Sequence, residues 1–104
     1  MIARFWSAHT TADRVQSYAE HLRTRVLPEL QALDGYAGAD LLQRSLPDGV
    51  EVVVITWWRS LDAVRAFAGP DLEQAVVADE AARLLDRFDR RVRHYDVVSR
   101  DAGV

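Results

Sequence analysis

Three amino acids are absent from this chain of 104 residues: cysteine, lysine and asparagine. Without cysteine the chain forms no disulfide, offers no thiolate nucleophile and gives no sulfur ligand to zinc or to an iron–sulfur cluster. Without lysine it cannot form a Schiff base, and all thirteen basic side chains are arginines. Several kinds of covalent and metal-dependent catalysis are therefore excluded for this chain.

Long apolar runs are also absent. No stretch approaches the ~18 residues of a membrane-spanning helix, and no charged-then-apolar leader opens the sequence, so we expect a cytoplasmic protein. Thirteen basic and sixteen acidic residues give a formal net charge of −3. Because the two signs are interspersed, we expect neither a nucleic-acid nor a membrane partner. The length predicts that residues 1–104 form a single domain.

The clearest pattern lies in residues 50–67, VEVVVITWWRSLDAVRAF. Val50–Trp58 is rich in β-branched and aromatic residues, which indicates a strand. Apolar side chains occupy both parities of this strand, so both of its faces are predicted to be covered. Ser60 then offers an N-cap oxygen for a helix that Gly69 ends. We therefore expect helices on one face of the sheet and a second copy of the same sheet on the other.

The remaining sequence supplies the other elements. The predicted elements are a strand at Ile2–Ala8, a long helix capped by Thr10, Thr11 or Asp13 and closed by Asp34–Gly35, a strand at Tyr36–Leu46, a helical turn at Pro70–Val77, a helix at Asp79–Phe88 and a strand at Arg91–Val98. Pro28 should kink or split the long helix, because its ring removes a backbone donor. Pro47, Asp48 and Gly49 form a turn that makes a hairpin of the second and third strands.

This order of elements, β-α-β-β-α-(α)-β, predicts an α+β fold. With right-handed crossovers and an antiparallel central hairpin, it is a ferredoxin-like, or split βαβ, antiparallel sheet with helices on one face. The opposite face carries too many apolar side chains to stand in water. We therefore expect a homodimer that packs sheet against sheet.

Three segments carry a resemblance to a known family: the opening IARFW, the strand-to-helix join VVVITWWRSLDAVRAFAGPDLEQAV and the closing VRHYDVV. The sharpest motif is Trp58-Arg59-Ser60 followed by Ala63, in the pattern W-x-S-x-x-A. The chain resembles the antibiotic biosynthesis monooxygenase family of dimeric α/β barrels. Resemblance to its cofactor-free oxygenases implies an aromatic, phenol- or anthrone-like substrate. The deprotonated substrate would itself give an electron to O₂, so no cofactor is expected.

The sequence departs from the family's patterns at several positions. Those oxygenases place an Asn where this chain has Val54 and a Tyr where it has Val64, whereas Trp58 matches the Trp that lines their pocket. The haem-degrading branch needs a histidine ligand near Val76–Val77 and an Asn near Ala3–Arg4, and this sequence has neither. The resemblance therefore implies a pocket built around Trp58, without haem.

Two residues are candidates for a catalytic role. His94 lies in the last strand, either as a general base or as a core histidine bonded to a nearby carbonyl or Tyr. Arg4 either lays its stem over the sheet or lines a cavity, where it would orient an anionic or enolate oxygen. The residues expected to contact substrate are Trp58, Trp6, His9, Tyr36 and Phe67. His21 has polar neighbours and is predicted to be solvated, and the spacing of the histidines predicts no metal site.

The leading hypothesis is a cofactor-independent monooxygenase-like enzyme acting on a small aromatic or polyketide-type metabolite. Two alternatives stay open: a non-catalytic dimeric module that binds a small hydrophobic ligand, and an isomerase or cyclase on the same fold. A space between sheet and helices that is filled by Leu and Val would exclude an enzyme. A cavity lined by Trp58, Arg4 and a histidine would favour one.

Overall fold

The computed structural model describes residues 1–103. Its elements are β1 (Ile2–Thr10), α1 (Val15–His21), a π-helical turn (Leu22–Val26), α2 (Leu27–Gln31), β2 (Tyr36–Leu46), β3 (Gly49–Trp58), α3 (Leu61–Ala68), α4 (Asp79–Ala82), β4 (Arg87–Phe88) and β5 (Arg93–Asp96). Over this part of the chain, no helix has the length and apolar character needed to cross a membrane.

The sheet is antiparallel throughout, and β1 lies at its centre. One edge of β1 pairs with β3, from Ile2 opposite Trp58 to Thr10 opposite Val50, and β2 lies beyond β3. The other edge of β1 pairs with β5 at one end and with β4 at the other. The predicted α+β, ferredoxin-like sheet is therefore confirmed.

The two faces of the sheet differ in their cover. Burial along β3 alternates from one residue to the next, and the side chains turned toward the helices are buried: Val50, Val52, Val54, Thr56 and Trp58. The opposite face, here called the open face, carries half-buried Phe5, Val53, Ile55 and Trp57 and exposed Leu42. Both faces are apolar, as the sequence predicts, but a single chain covers only one with helices.

Pro28 divides the first helical region, as predicted. α1 gives way to the π-helical turn, and α2 begins at Leu27 with Pro28 in its first turn. The start of the region differs from the prediction, because α1 begins at Val15 with Arg14 at the N-cap and no side-chain cap bond. The amides of Arg14 and Val15 instead donate to the Thr11 carbonyl in a preceding turn.

The join between β3 and α3 has the predicted caps. Ser60 Oγ accepts a hydrogen bond from the Ala63 amide at 3.2 Å, and Gly69, with φ of +82°, ends the helix. Gly35 lies against this helix with φ of +88°, and a Cβ there would stand 2.4 Å from Ala63 Cβ. Only glycine allows the chain before β2 to pass this close to α3.

The prediction of a long helix at Asp79–Phe88 is wrong. Helix α4 is four residues long, and the chain then follows the edge of β1. The Asp86 amide donates to the His9 carbonyl at 2.8 Å, and the Asp89 amide donates to the Ser7 carbonyl at 2.9 Å. These tertiary bonds take the donors that a continuing helix would have used, and β4 forms in its place.

The predicted helical turn at Pro70–Val77 is confirmed only at its start. A bond from the Gln74 amide to the Asp71 carbonyl closes one turn, after which the chain runs extended to α4. The backbone of this segment bonds instead to the chain before β5, including a bridge between Gln74 and Arg91. The predicted last strand at Arg91–Val98 is correspondingly shorter, since only β5 is regular.

Candidate functional site

A cavity of about 70 Å³ lies between the helix-covered face of the sheet and the helices. Side chains from β1, β3, α1, α3 and the segment before α4 contribute to its wall, which is mostly apolar and includes Trp6, Tyr18, Leu22, Val54, Phe67 and Val77. Arg4 from β1 and His21 from the end of α1 also line it. An apolar chamber with a few polar groups is the usual form of a small-molecule site.

Arg4 is fixed at the wall of the cavity by backbone carbonyls. Its Nη1 donates to the Leu72 carbonyl at 2.6 Å, and its Nη2 donates to the Gln74 carbonyl at 2.8 Å. Its Cζ also lies 5.5 Å from the centre of the Phe67 ring, within the range of a cation–π contact. The sequence left two alternatives for Arg4, and the structure places it at the cavity.

The guanidinium of Arg4 is a buried charge that no carboxylate of residues 1–103 neutralises. The residue is 4% exposed, and burial lowers its pKa to about 10, so it stays protonated at neutral pH. It forms no ion pair among residues 1–103, where its side-chain hydrogen bonds join it to the Leu72 and Gln74 carbonyls and to His94. Buried charges in proteins are normally paired, so this site suits an anionic ligand.

His94 contacts Arg4 directly. Its Nε2 lies 2.9 Å from Arg4 Nη1, and because a guanidinium can only donate, Nε2 must accept and His94 must be neutral. Burial, and then the charge of Arg4, lower the pKa of His94, which favours the same neutral form. The two predicted catalytic residues therefore meet, but the lone pair of His94 is occupied by Arg4. In this arrangement His94 positions Arg4.

The predicted aromatic residues divide into two layers. Trp6, which stacks on Tyr18 at 6.2 Å, and Phe67 line the cavity. Trp58 is fully buried behind this wall, stacked on Phe67 at 5.9 Å and in edge contact with Tyr36 at 5.4 Å. Trp58 and Tyr36 were predicted to contact substrate, but the Phe67 ring covers the Trp58 indole on the cavity side. The two rings support the wall instead.

His9 lies away from this cavity. As an odd-numbered residue of β1 it points to the open face, where it lines a separate crevice with Glu51 and Arg87. Its Nδ1 lies 3.0 Å from Asp86 Oδ2, within hydrogen-bond distance, and its Nε2 is 3.6 Å from Asp48 Oδ1. The structure therefore does not bring the predicted contact residue His9 together with Arg4.

His21 is the cavity residue that sequence reasoning missed. The prediction that it is solvated is wrong, because its side chain is only 9% exposed and lines the cavity. Its sequence neighbours are polar, but residues three apart share a helix face, and Tyr18 is buried on that face. The spacing from Tyr18 to His21 was the signal that could have located it.

The family model described as antibiotic biosynthesis monooxygenase matches residues 1–79 of the chain. This span includes Arg4, His21 and Phe67 and ends before Glu80 and His94. No curated protein matches the chain.

Several solved structures share the fold over nearly the whole chain. The haem degrader MhuD of Mycobacterium tuberculosis, with two haems bound in its active site, has a TM-score of 0.66 and 20% identity, over 99% of this chain and 100% of that one. A monooxygenase from the gene ActVA-Orf6 of Streptomyces coelicolor, in complex with nanaomycin D, has a TM-score of 0.61 and 16% identity, over 99% and 90%. A candidate antibiotic biosynthesis monooxygenase of Bacillus cereus has a TM-score of 0.71 and 16% identity, over 100% and 97%.

Proposed function

This chain belongs to the antibiotic biosynthesis monooxygenase family, and we propose that it is a cofactor-independent, monooxygenase-like enzyme acting on a small aromatic or polyketide-type metabolite. One observation carries this proposal: Arg4 is a buried cation at the wall of an apolar cavity, and it has no carboxylate partner in the described part of the chain. A ligand with a flat apolar body and one ionised oxygen would suit both parts of the site.

In the proposed reaction, the substrate binds with a phenol or enol hydroxyl toward Arg4. The guanidinium stabilises the deprotonated oxygen and so lowers the pKa of the bound hydroxyl. The electron-rich anion is the reductant for O₂. Where a CH₂ group becomes a carbonyl, one oxygen atom stays on the substrate and the other leaves as water. Trp6 and Phe67 contact the ring and keep bulk water from the anion.

The size of the cavity requires it to open for such a substrate. At about 70 Å³ it is smaller than the ~150 Å³ apolar cavity that accepts benzene. The segment between α3 and α4 supplies Val76 and Val77 to the wall and has little regular structure. Because Arg4 bonds to Leu72 and Gln74 in the same segment, an anionic ligand that reaches Arg4 can replace these carbonyls as the segment moves.

Haem does not suit this cavity. Val76 and Val77, which stand where the resemblance implies a haem ligand, offer only hydrocarbon to the cavity. The proposed reaction therefore has no step through haem.

The proposal includes a homodimer formed through the open face. Phe5, Val53, Ile55 and Trp57 form an apolar centre, and Trp57 Nε1 donates to Asp40 at its border at 2.8 Å. A second copy of the same face would remove these side chains from water by a self-complementary, two-fold contact.

A non-catalytic ligand-binding module is the second candidate. Val54 lines the cavity and Val64 is fully buried beside Trp58, at the positions where the resemblance implies the Asn and Tyr of the oxygenases. Neither valine can donate a proton or bond to a reacting oxygen. An isomerase or cyclase would use the same anion site without O₂.

Oxygen uptake tests the first candidate against the second. The protein is incubated with an anthrone under air, and we expect saturable O₂ consumption that Arg4→Met abolishes and the exposed-site control Arg59→Met retains. Uptake equal to that of buffer, with saturable quenching of tryptophan fluorescence by the anthrone, would support the binding module. If the anthrone causes no O₂ uptake and no quenching, both candidate functions are contradicted. Stoichiometric haem binding would contradict the statement that haem does not suit this cavity.

A further inference from the structure

His21 lines the cavity, and one of its ring nitrogens has no hydrogen-bond partner among residues 1–103. Its side chain is more than nine-tenths buried, and its Nε2 is buried without a hydrogen-bond partner. Burying such an atom costs free energy, since it loses its bond to water. A ligand hydroxyl, or a water that this hydroxyl displaces, would restore the bond.

The surroundings of His21 determine which ring nitrogen can accept a proton. Its Nδ1 lies 3.8 Å from Glu80 Oε2 of α4, which is within electrostatic range but beyond a hydrogen bond, and a nearby carboxylate favours the proton on the nearer nitrogen. Nε2 then carries the lone pair. The other titratable groups at the cavity are Arg4, which is a cation, and Tyr18, which stays a neutral phenol because burial raises its pKa.

The backbone around His21 is also unusual. His21 is the last residue of α1, and the π-helical turn that follows places Leu22 and Val26 on the same cavity. Single π-helical turns inside helices occur frequently at functional sites. This turn brings the end of α1 to the cavity together with its two apolar neighbours.

We propose that His21 is the proton acceptor of this cavity, taking the proton of a phenol or enol hydroxyl whose oxyanion Arg4 then holds. The substrate class rests on the proposed function. The substrate O–H bond breaks, its electron pair stays on oxygen, and a new N–H bond forms at Nε2. The imidazolium faces Glu80, and the anion faces Arg4, so each new charge meets an opposite charge.

The test uses 4-nitrophenol, whose phenolate is yellow, at a pH below its solution pKa. We expect the wild-type protein to bind this probe and increase its phenolate absorbance. His21→Gln keeps a polar side chain that cannot take a proton, and it should bind the probe but leave it as the phenol. O₂ uptake with the anthrone should fall by roughly 10²-fold or more in the same variant. The matched control is Arg23→Gln, at an exposed position within the π-helical turn.

Two results would overturn the proposal. In the first, the wild-type protein fails to bind the probe or binds it without ionising it. In the second, the His21→Gln protein still ionises the probe. If this variant does not fold, ¹⁵N NMR of wild-type histidines replaces it. The His21 Nε2 resonance should then change from acceptor to N–H when the probe is added, and an unchanged resonance would contradict the assignment. Probe ionisation without any O₂ uptake would refute the oxygenase proposal and leave His21 as the acceptor.

Discussion

Replacing Arg4 with methionine separates its contribution to folding from its contribution to binding. Burial lowers the pKa of Arg4 from its ordinary value to about 10, and at ~1.4 kcal/mol per pKa unit the charge costs about 3 kcal/mol in the folded protein. Its bonds to Leu72 and Gln74 offset this by roughly 1.5–3 kcal/mol each. Arg4→Met should therefore lower the free energy of unfolding by only about 0–3 kcal/mol, although it removes a fully buried cation.

Binding should respond much more strongly than folding. A ligand that binds only the folded protein raises the free energy of unfolding by about 2.7 kcal/mol at one hundred times its Kd. Urea unfolding with and without an anionic aromatic ligand should show this increase for the wild type and for Arg59→Met, whose side chain is 71% exposed. In Arg4→Met the increase should disappear.

Two results would refute this reasoning about Arg4. An equal ligand-induced increase in Arg4→Met would show that the buried charge does not hold the ligand. A loss of unfolding free energy well above about 3 kcal/mol, without ligand, would show that Arg4 is chiefly a structural residue whose bonds outweigh its desolvation.

Three further predictions concern the rest of the molecule. The pKa of His94 is lowered from 6.5 by burial and then by Arg4, so the unfolding free energy should fall as pH drops below about 6.5. In urea titrations His94→Gln should reduce the dependence of the unfolding free energy on pH. An unchanged dependence would contradict the contact between His94 and Arg4. Gly35→Ala adds a clash to a positive φ and should lower the free energy of unfolding by about 3 kcal/mol. Gly69→Ala, at a similar φ but in open space, should lower it by only about 1 kcal/mol. Equal losses would argue against the clash. Ile55→Arg on the open face should give monomers in sedimentation, whereas Leu61→Arg, on the exposed side of α3, should stay dimeric; two monomeric or two dimeric variants would exclude this interface.

The sheet could be predicted from sequence because its signals are local. The turn at Pro47–Gly49 and the caps at Ser60 and Gly69 each act within a few residues of the structure they determine. The alternation of side-chain direction along Val50–Trp58 likewise follows from strand geometry alone, whereas its alternating burial in the single chain differs from the predicted cover on both faces. These elements fixed the order of the central strands, and Arg4 could be identified as unusual because it interrupts an apolar strand.

The C-terminal third of the fold could not be predicted in the same way. Asp79–Phe88 has helical spacing, but bonds from Asp86 and Asp89 to the β1 edge override it. Similarly, His21 has polar neighbours in sequence, and its burial depends on where α4 packs. In both cases the deciding partner is distant along the chain, so local patterns carry only part of the information, as the spacing from Tyr18 to His21 does for the buried helix face.

The site itself combines these two parts of the chain. The family match covers residues 1–79, which supply Arg4 and His21, whereas Glu80 and His94, which contact them, follow it. Structures of the same fold include a haem degrader and a monooxygenase, so the fold does not determine the chemistry. Here two polar groups at one apolar cavity are each oriented by a residue beyond the matched region. The specificity of this protein should therefore depend as much on the residues after position 79 as on the region that matches its family.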